Sequence, residues 1–195
     1  MVIKAKQKRS QLRINSLINS GFEILENENI DEITIANLAK YSGLKRTSTY
    51  KFFPTADSIK VAMIEVCIDE CVMDLDTKII DEDIKNLSNL LNICVNILYE
   101  YFNSKKYAQK LILETTVSPP IDSKLINKLA ESIESKISYR INLEEIFNKS
   151  GVFRVITQII ISIFSLNTKE SGSLNEVGKI EAHRASVAYI SSFIK

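Results

Sequence analysis

The stretch from Thr34 to Phe53, T-I-A-N-L-A-K-Y-S-G-L-K-R-T-S-T-Y-K-F-F, constrains the fold more than any other part of this chain. Ile35, Leu38 and Ala39 recur at helical spacing, so they can bury one face of a short helix capped by Thr34. Ser42-Gly43-Leu44 reads as a tight turn, with Gly43 free to take positive φ and Leu44 plugging the angle between two helices. A second helix, about Lys45 to Phe52, then exposes Lys45, Arg46, Thr47, Ser48, Thr49 and Lys51, with the phenol of Tyr50 beside them. Such side chains donate to phosphates and base edges, so the hairpin over about 33–52 is a candidate DNA reader. A short hairpin of this kind also occurs as the solvated surface of an ordinary helical domain. The flanks separate the two readings.

Upstream, Arg13, Leu17, Ile18, Gly21, Ile24 and Leu25 form a helix ending near Asn29-Ile30. Downstream, Tyr50-Lys51-Phe52-Phe53-Pro54-Thr55 leads into a helix through Asp57, Ile59 and Met63. This order resembles the N-terminal region of TetR-type transcriptional regulators, over about residues 9 to 65. The resemblance implies an all-α fold of about nine helices. An N-terminal three-helix helix-turn-helix DNA-binding domain (8–60) would precede a helical effector-binding and dimerisation domain (61–195). It also implies a ligand-responsive regulator, more commonly a repressor than an activator, that binds a palindromic operator in double-stranded DNA as a homodimer.

By the same resemblance, Thr34 and Tyr50 fall where family members contact the DNA backbone, and Lys45 to Thr49 fall where base edges are read. Asn29 stands where the family commonly has glycine, and asparagine is the next best residue for a left-handed helix stop. Ser20-Gly21 replaces a usual pair of alanines and keeps the first helix close to the hairpin. Three positions depart from the pattern. Lys45 replaces a capping serine and cannot accept the orphan amide hydrogens. Thr49 replaces a usually apolar residue. Ala56 replaces a phosphate-gripping lysine, for which Lys60, one turn on, is the expected substitute. These departures leave open a TetR-like helical protein that has lost DNA binding and acts on a protein partner. A helical enzyme or lipid carrier is the remaining rival.

Charge is divided along the chain although the whole carries only +1. Residues 1–60 hold ten Lys/Arg against six acids, a net of +4, and residues 61–195 hold fifteen against eighteen, a net of −3. Opposite signs suit a DNA-facing head on a body that does not adhere to phosphate. The basic run Lys4-Lys6-Lys8-Arg9 is either an arm that reaches a groove or the backbone, or a solvated tail. Five glycines and three prolines are too few for a turn-rich β fold. Three cysteines, an odd number, argue against a disulfide framework. No apolar run approaching the roughly 18–20 residues of a membrane span is expected, nor a signal peptide, so the reading is cytoplasmic with no membrane partner.

Beyond Phe53 the pattern is helix after helix. Thr55 caps a helix reaching about Ile80, acids follow at 81–83, and an amphipathic segment runs through Leu87, Leu90, Leu91, Ile97, Leu98 and Phe102. A helix from about Tyr107 to Val117 ends before Pro119-Pro120, and one long helix is expected from about Asp122 to Lys149. Val152, Val155, Ile156, Ile159, Ile160, Ile163 and Phe164 give the next helix a wide apolar stripe. The last helix sets Val177, Ile180, Val187 and Ile194 among small residues. The candidate dimer face is therefore Val152, Ile156, Ile159, Ile163, Ile180, Val187 and Ile194.

Catalysis has little support: His183 is the sole histidine, and no phosphate loop, nucleophile elbow or zinc motif is present. No enzyme activity, cofactor or metal is expected. Cys67, Cys71 and Cys94 are read as small buried apolar residues, with a thiol or soft-metal sensor as the alternative. An effector pocket is expected in the body, lined by Cys71, Cys94, Leu98, Phe102 and Phe147.

Overall fold

The computed structural model describes residues 2–79, 86–114 and 121–194, with side chains from residue 7 onward. Nine helices and no strand are found among these residues, in agreement with the all-α reading. The helices are α1 (Val2–Asn27), α2 (Ile35–Ser42), α3 (Arg46–Phe52), α4 (Ala56–Lys78) and α5 (Leu87–Ser104). There follow α6 (Lys106–Ala108), α7 (Ser123–Ser138), α8 (Lys149–Ser171) and α9 (Glu176–Ser191).

The head is built by apolar positions three and four apart. Leu17, Ile24 and Leu25 of α1, Ile35 and Leu38 of α2, and Ile59 and Met63 of α4 are buried together. Gly21 is what lets α1 lie on α4. A Cβ there would fall 2.6 Å from the Met63 Sδ and 3.6 Å from a Leu38 methyl, so the close partner is α4 more than the hairpin. Thr55 begins α4 with a reciprocal cap: the Ser58 N–H donates to the Thr55 hydroxyl at 3.1 Å, and the Thr55 N–H to the Ser58 hydroxyl at 3.3 Å. From there α4 continues out of the head and buries Ile64, Cys67, Ile68, Cys71 and Leu75 in the body.

In the body α8 packs against α7 and α9, while α5 lies against α4 and α9. Tyr101, Phe102, Phe153 and Phe164 are the largest fully buried side chains. Phe102 and Phe164 meet edge to face with centroids 6.3 Å apart.

Several sequence expectations are corrected here. The single helix expected over 122–149 is two. α7 ends at Ser138, Leu143 and Ile146 tuck the connection into the core, and Asn148 takes φ 59° so that its side chain accepts the Gly151 N–H at 3.3 Å. Asparagine is one of the few residues that tolerates this left-handed backbone. Asn29, expected to be left-handed, is extended at φ −82° and ψ 165°, and precedes a short 3-10 turn over Ile30–Glu32. Past Ala108 the chain winds more widely, as a π-helical segment over Gln109–Glu114. α8 has the length and apolarity of a membrane-crossing helix by composition alone, unlike the sequence expectation, and half of that window is buried inside the protein. The acids at 81–83, the end of the helix expected over 107–117 and Pro119-Pro120 lie outside the described residues.

Candidate nucleic-acid interface

The hairpin forms as its residue types dictate. Thr34 is extended at φ −118°, and its hydroxyl accepts the Asn37 N–H at 3.2 Å. The Asn37 side-chain amide in turn donates to the Glu32 carbonyl and carboxylate at 3.0 and 2.8 Å, which holds the start of α2 against the preceding turn. Gly43 ends α2 at φ 68°, where a side chain would be strained. The Ser42 hydroxyl accepts the Leu44 N–H at 3.4 Å within the turn.

α3 starts one residue later than expected. Lys45 occupies the cap position and its side chain makes no capping bond, as its chemistry requires. The helix is held from its other end, where Phe53 is buried and Phe52 half-buried. Lys45, Arg46, Thr47, Tyr50 and Lys51 are exposed and Ser48 is half-buried. None of Lys45, Arg46 and Lys51 forms an ion pair among the described residues. Their charge is thus available to an external phosphate.

Two of the expected contact residues are not placed for that role. Thr49 is fully buried, with its hydroxyl donating to the Lys45 carbonyl at 3.4 Å, so it cannot reach a base edge. It packs as the apolar residue usual at that position would, and its hydroxyl is satisfied inside its own helix. Lys60 keeps only 14% of its side chain exposed and lies 3.7 Å from the Asp57 carboxylate on the same helix. It does not replace the missing lysine at Ala56 as a free cation.

The expected effector pocket is also corrected. Cys71, Cys94, Leu98 and Phe102 are each fully buried in the packed centre, whereas Phe147 is 93% exposed on the α7–α8 connection. They do not share a lining. Open cavities of about 230 and 370 Å³ lie instead along the α7–α8 cleft. Asn127, Glu131, Glu134 and Asn148 line the first, Ile126, Val155 and Gln158 the second, and Arg154 both. Burial pushes the Cys67 and Cys94 thiols up to about 12 and the Cys71 thiol well above its usual value. A reactive thiolate sensor needs the opposite shift. His183 bridges α9 to α5 through its Nε2, 3.0 Å from the Ser88 carbonyl, which is a structural contact.

On the last two helices the stripe read from the sequence divides in two. Val152 and Ile156 are buried in the core and cannot meet a partner. Val155 and Leu166 on α8, and Val177 and Ile180 on α9, are exposed, with Ile159, Ile163 and Val187 half-buried between them. Ile194 is exposed beyond the end of α9. Leu166, absent from the expected face, completes the series 155, 159, 163, 166 at helical spacing.

Comparisons with known proteins bear on the fold. No family model matches the chain. The HTH-type transcriptional regulator EthR of Mycobacterium tuberculosis is 22% identical over 91 residues, which cover 47% of this chain and 42% of EthR. The match thus takes in less than half of either protein. A TetR-family transcriptional regulator from Streptomyces coelicolor superposes with a TM-score of 0.71 at 13% identity, over 95% of this chain and 99% of that one. A TetR transcriptional regulator from Rhodococcus sp. RHA1 gives 0.71 at 12% identity, over 94% and 97%. The chain therefore carries a helix-turn-helix at the end of a larger helical body. Its fold is that of the TetR-family transcriptional regulators.

Proposed function

We propose that the chain is a transcriptional repressor that binds duplex DNA as a homodimer through α3. The observation that carries this reading is the exposed set Lys45, Arg46, Thr47, Tyr50 and Lys51, whose cations form no ion pair among the described residues, on a short helix whose buried side is fixed by Thr49 and Phe53. A rigid helix with cationic and hydroxyl donors on its free side is suited to a major groove, with phosphates fixing its register. Thr34 adds an exposed hydroxyl at the start of α2, and Ser48 is a half-buried donor. The apolar strip of Val155, Ile159, Ile163, Leu166, Val177 and Ile180 supports pairing of α8 and α9 across a two-fold axis. That would present two reading helices roughly 34–36 Å apart to a palindromic site.

An effector response completes the proposal. The α7–α8 cleft, rather than the filled centre, is where a small molecule would enter. α4 joins head to body, so a ligand that shifts it would change the spacing of the two heads. Driving such an equilibrium from one side to the other takes about 5.5 kcal/mol of differential binding.

Gel shifts with the intergenic DNA beside the gene test the reading, using the wild-type chain with the Tyr50→Phe and Lys51→Ala variants. Wild-type binding that weakens steeply with salt, and weakens further in both variants, supports it. Affinity unchanged by both substitutions contradicts the assignment of α3. No DNA binding at low ionic strength favours the partner-protein reading that the uncapped Lys45 and the Ala56 position left open.

A further inference from the structure

α7 turns one face to α4 and another to α8, and the charges on the two faces are treated differently. Toward α4, Lys128 pairs with Asp69 and Lys136 with Asp76. Toward α8, Glu131 and Glu134, one turn apart, line the open cavity of about 230 Å³ together with Arg154 of α8. None of these three forms an ion pair among the described residues. Opposite charges on the two walls of one cleft are thus left apart, and Asn127 adds a half-buried amide to the same lining.

Arg154 also lines the neighbouring cavity of about 370 Å³, where no other described lining residue is charged. Ile121, Ile126 and Val155 give that cavity an aliphatic side. Val155 also begins the strip proposed to pair two chains, so this cavity opens beside that strip. The two cavities therefore meet at one guanidinium, with acids and amides on one side of it and aliphatic side chains on the other.

A ligand in the first cavity must answer both signs. A simple cation would satisfy the carboxylates and be repelled by Arg154, and a simple carboxylate would do the reverse. A divalent metal ion needs a fuller set of ligands, and no group of three His, Cys, Asp or Glu side chains is gathered among the described residues. An ammonium and a carboxylate on one carbon match both walls within a single small cavity. An uncharged aliphatic branch on that carbon then extends past Arg154 into the second. Apolar walls with a few convergent polar groups are the usual make-up of a small-molecule site.

We propose that the α7–α8 cleft binds a free α-amino acid with an aliphatic side chain. Glu131 and Glu134 hold its ammonium, Arg154 takes its carboxylate through paired N–H donors, and Ile121 and Ile126 cover its side chain. This rests on the reading above that an effector enters this cleft, and it names the chemical class of that effector.

Calorimetric titration of the full-length protein with L-leucine tests it, beside leucinamide, which lacks the carboxylate, and 4-methylpentanoate, which lacks the ammonium. Wild type should bind leucine, and each analogue about tenfold or more weakly, since each omits hydrogen bonds to a charged group. The Glu131→Gln/Glu134→Gln and Arg154→Gln variants, with the fold checked by circular dichroism, should weaken leucine binding to a similar degree. Arg154→Gln should leave leucinamide affinity unchanged, and the double variant should leave that of 4-methylpentanoate unchanged, a pattern that a merely distorted cleft does not give. No binding of leucine, isoleucine or valine in the millimolar range overturns the proposal. Either analogue binding wild type as tightly as leucine also overturns it. Gel shifts with and without leucine separate this from the reading on which it rests. DNA binding by a chain that ignores all three amino acids overturns the proposal alone and leaves the role of α3 standing. Leucine binding by a chain that ignores DNA leaves the amino-acid site standing and overturns the repressor reading.

Discussion

α3 and α8 are opposite ways of holding a helix. α3 has seven residues, no side-chain cap and a single buried residue, Thr49. Its conformation is imposed by the turn at Gly43 and by Phe53, and nearly all of its chemistry faces outward. α8 has 23 residues, an Asn148 cap, a left-handed stop at Gly172 (φ 77°) and a broad apolar arc beside an exposed polar strip of Arg154, Gln158, Ser162 and Lys169. Isolated, α3 would not persist, because a helix this short cannot offset its nucleation cost. Side chains that serve an external partner stabilise nothing in the free protein, so a reading helix must borrow its order from neighbours. α8 draws its order from the long apolar face it buries against α7 and α9.

That contrast fixes the order of expected effects. Phe164→Ala, at the fully buried edge-to-face contact with Phe102, should cost about 3–5 kcal/mol in urea unfolding. A loss under 1 kcal/mol would mean that the centre is looser than described, and would revive an interior effector pocket. Gly178→Val tests the seam between α8 and α9. A Cβ there would already lie 2.6 Å from the Asn167 Oδ1 and 2.8 Å from its Cβ, so overpacking of about 1–3 kcal/mol is expected by thermal melting. Sedimentation of the same variant would report whether pairing depends on that seam.

Lys45→Ser sharpens the comparison from the other side. Serine restores the missing cap on α3, which should add about 1 kcal/mol of stability, while the salt slope of DNA binding drops by about 0.9 per protomer. Unchanged stability would show that α3 is already fully ordered by Gly43 and Phe53. The smallest effect concerns the thiols. With Cys67 and Cys94 pushed up to about 12 and Cys71 higher still, each stays protonated at pH 8 and sheltered from solvent. A thiol-reactive disulfide should label none of them until the chain is unfolded, and labelling of any one in the native protein would contradict that burial.

What the sequence revealed follows the same division. The Thr34 and Thr55 caps and the Gly43 turn were legible because each is a local, one-residue requirement of backbone geometry. Asn29 and Asn148 were not distinguished, since asparagine tolerates both extended and left-handed backbone and the surroundings decide. The orientation of Thr49 had a signal, its place in a pattern where the family has an apolar residue, but its hydroxyl suggested an outward role. Val152 and Ile156 could not be told from Ile159 and Ile163, because all four lie side by side on one broad apolar arc, and periodicity does not divide such an arc between the helix's own core and a partner's surface. Phe147 was misplaced because its neighbours form a broken connection rather than the continued helix that the spacing suggested.

The central claim is that two copies of α3 read one duplex together. Selection of bound sequences from a random duplex pool, with sedimentation of the selected complex to count chains, tests it most directly. The account predicts enrichment of an inverted repeat whose half-sites are centred about one helical turn, or a multiple of it, apart, carried by an even number of chains. A single chain on the duplex, or a pool that emerges without any enriched sequence, would contradict it.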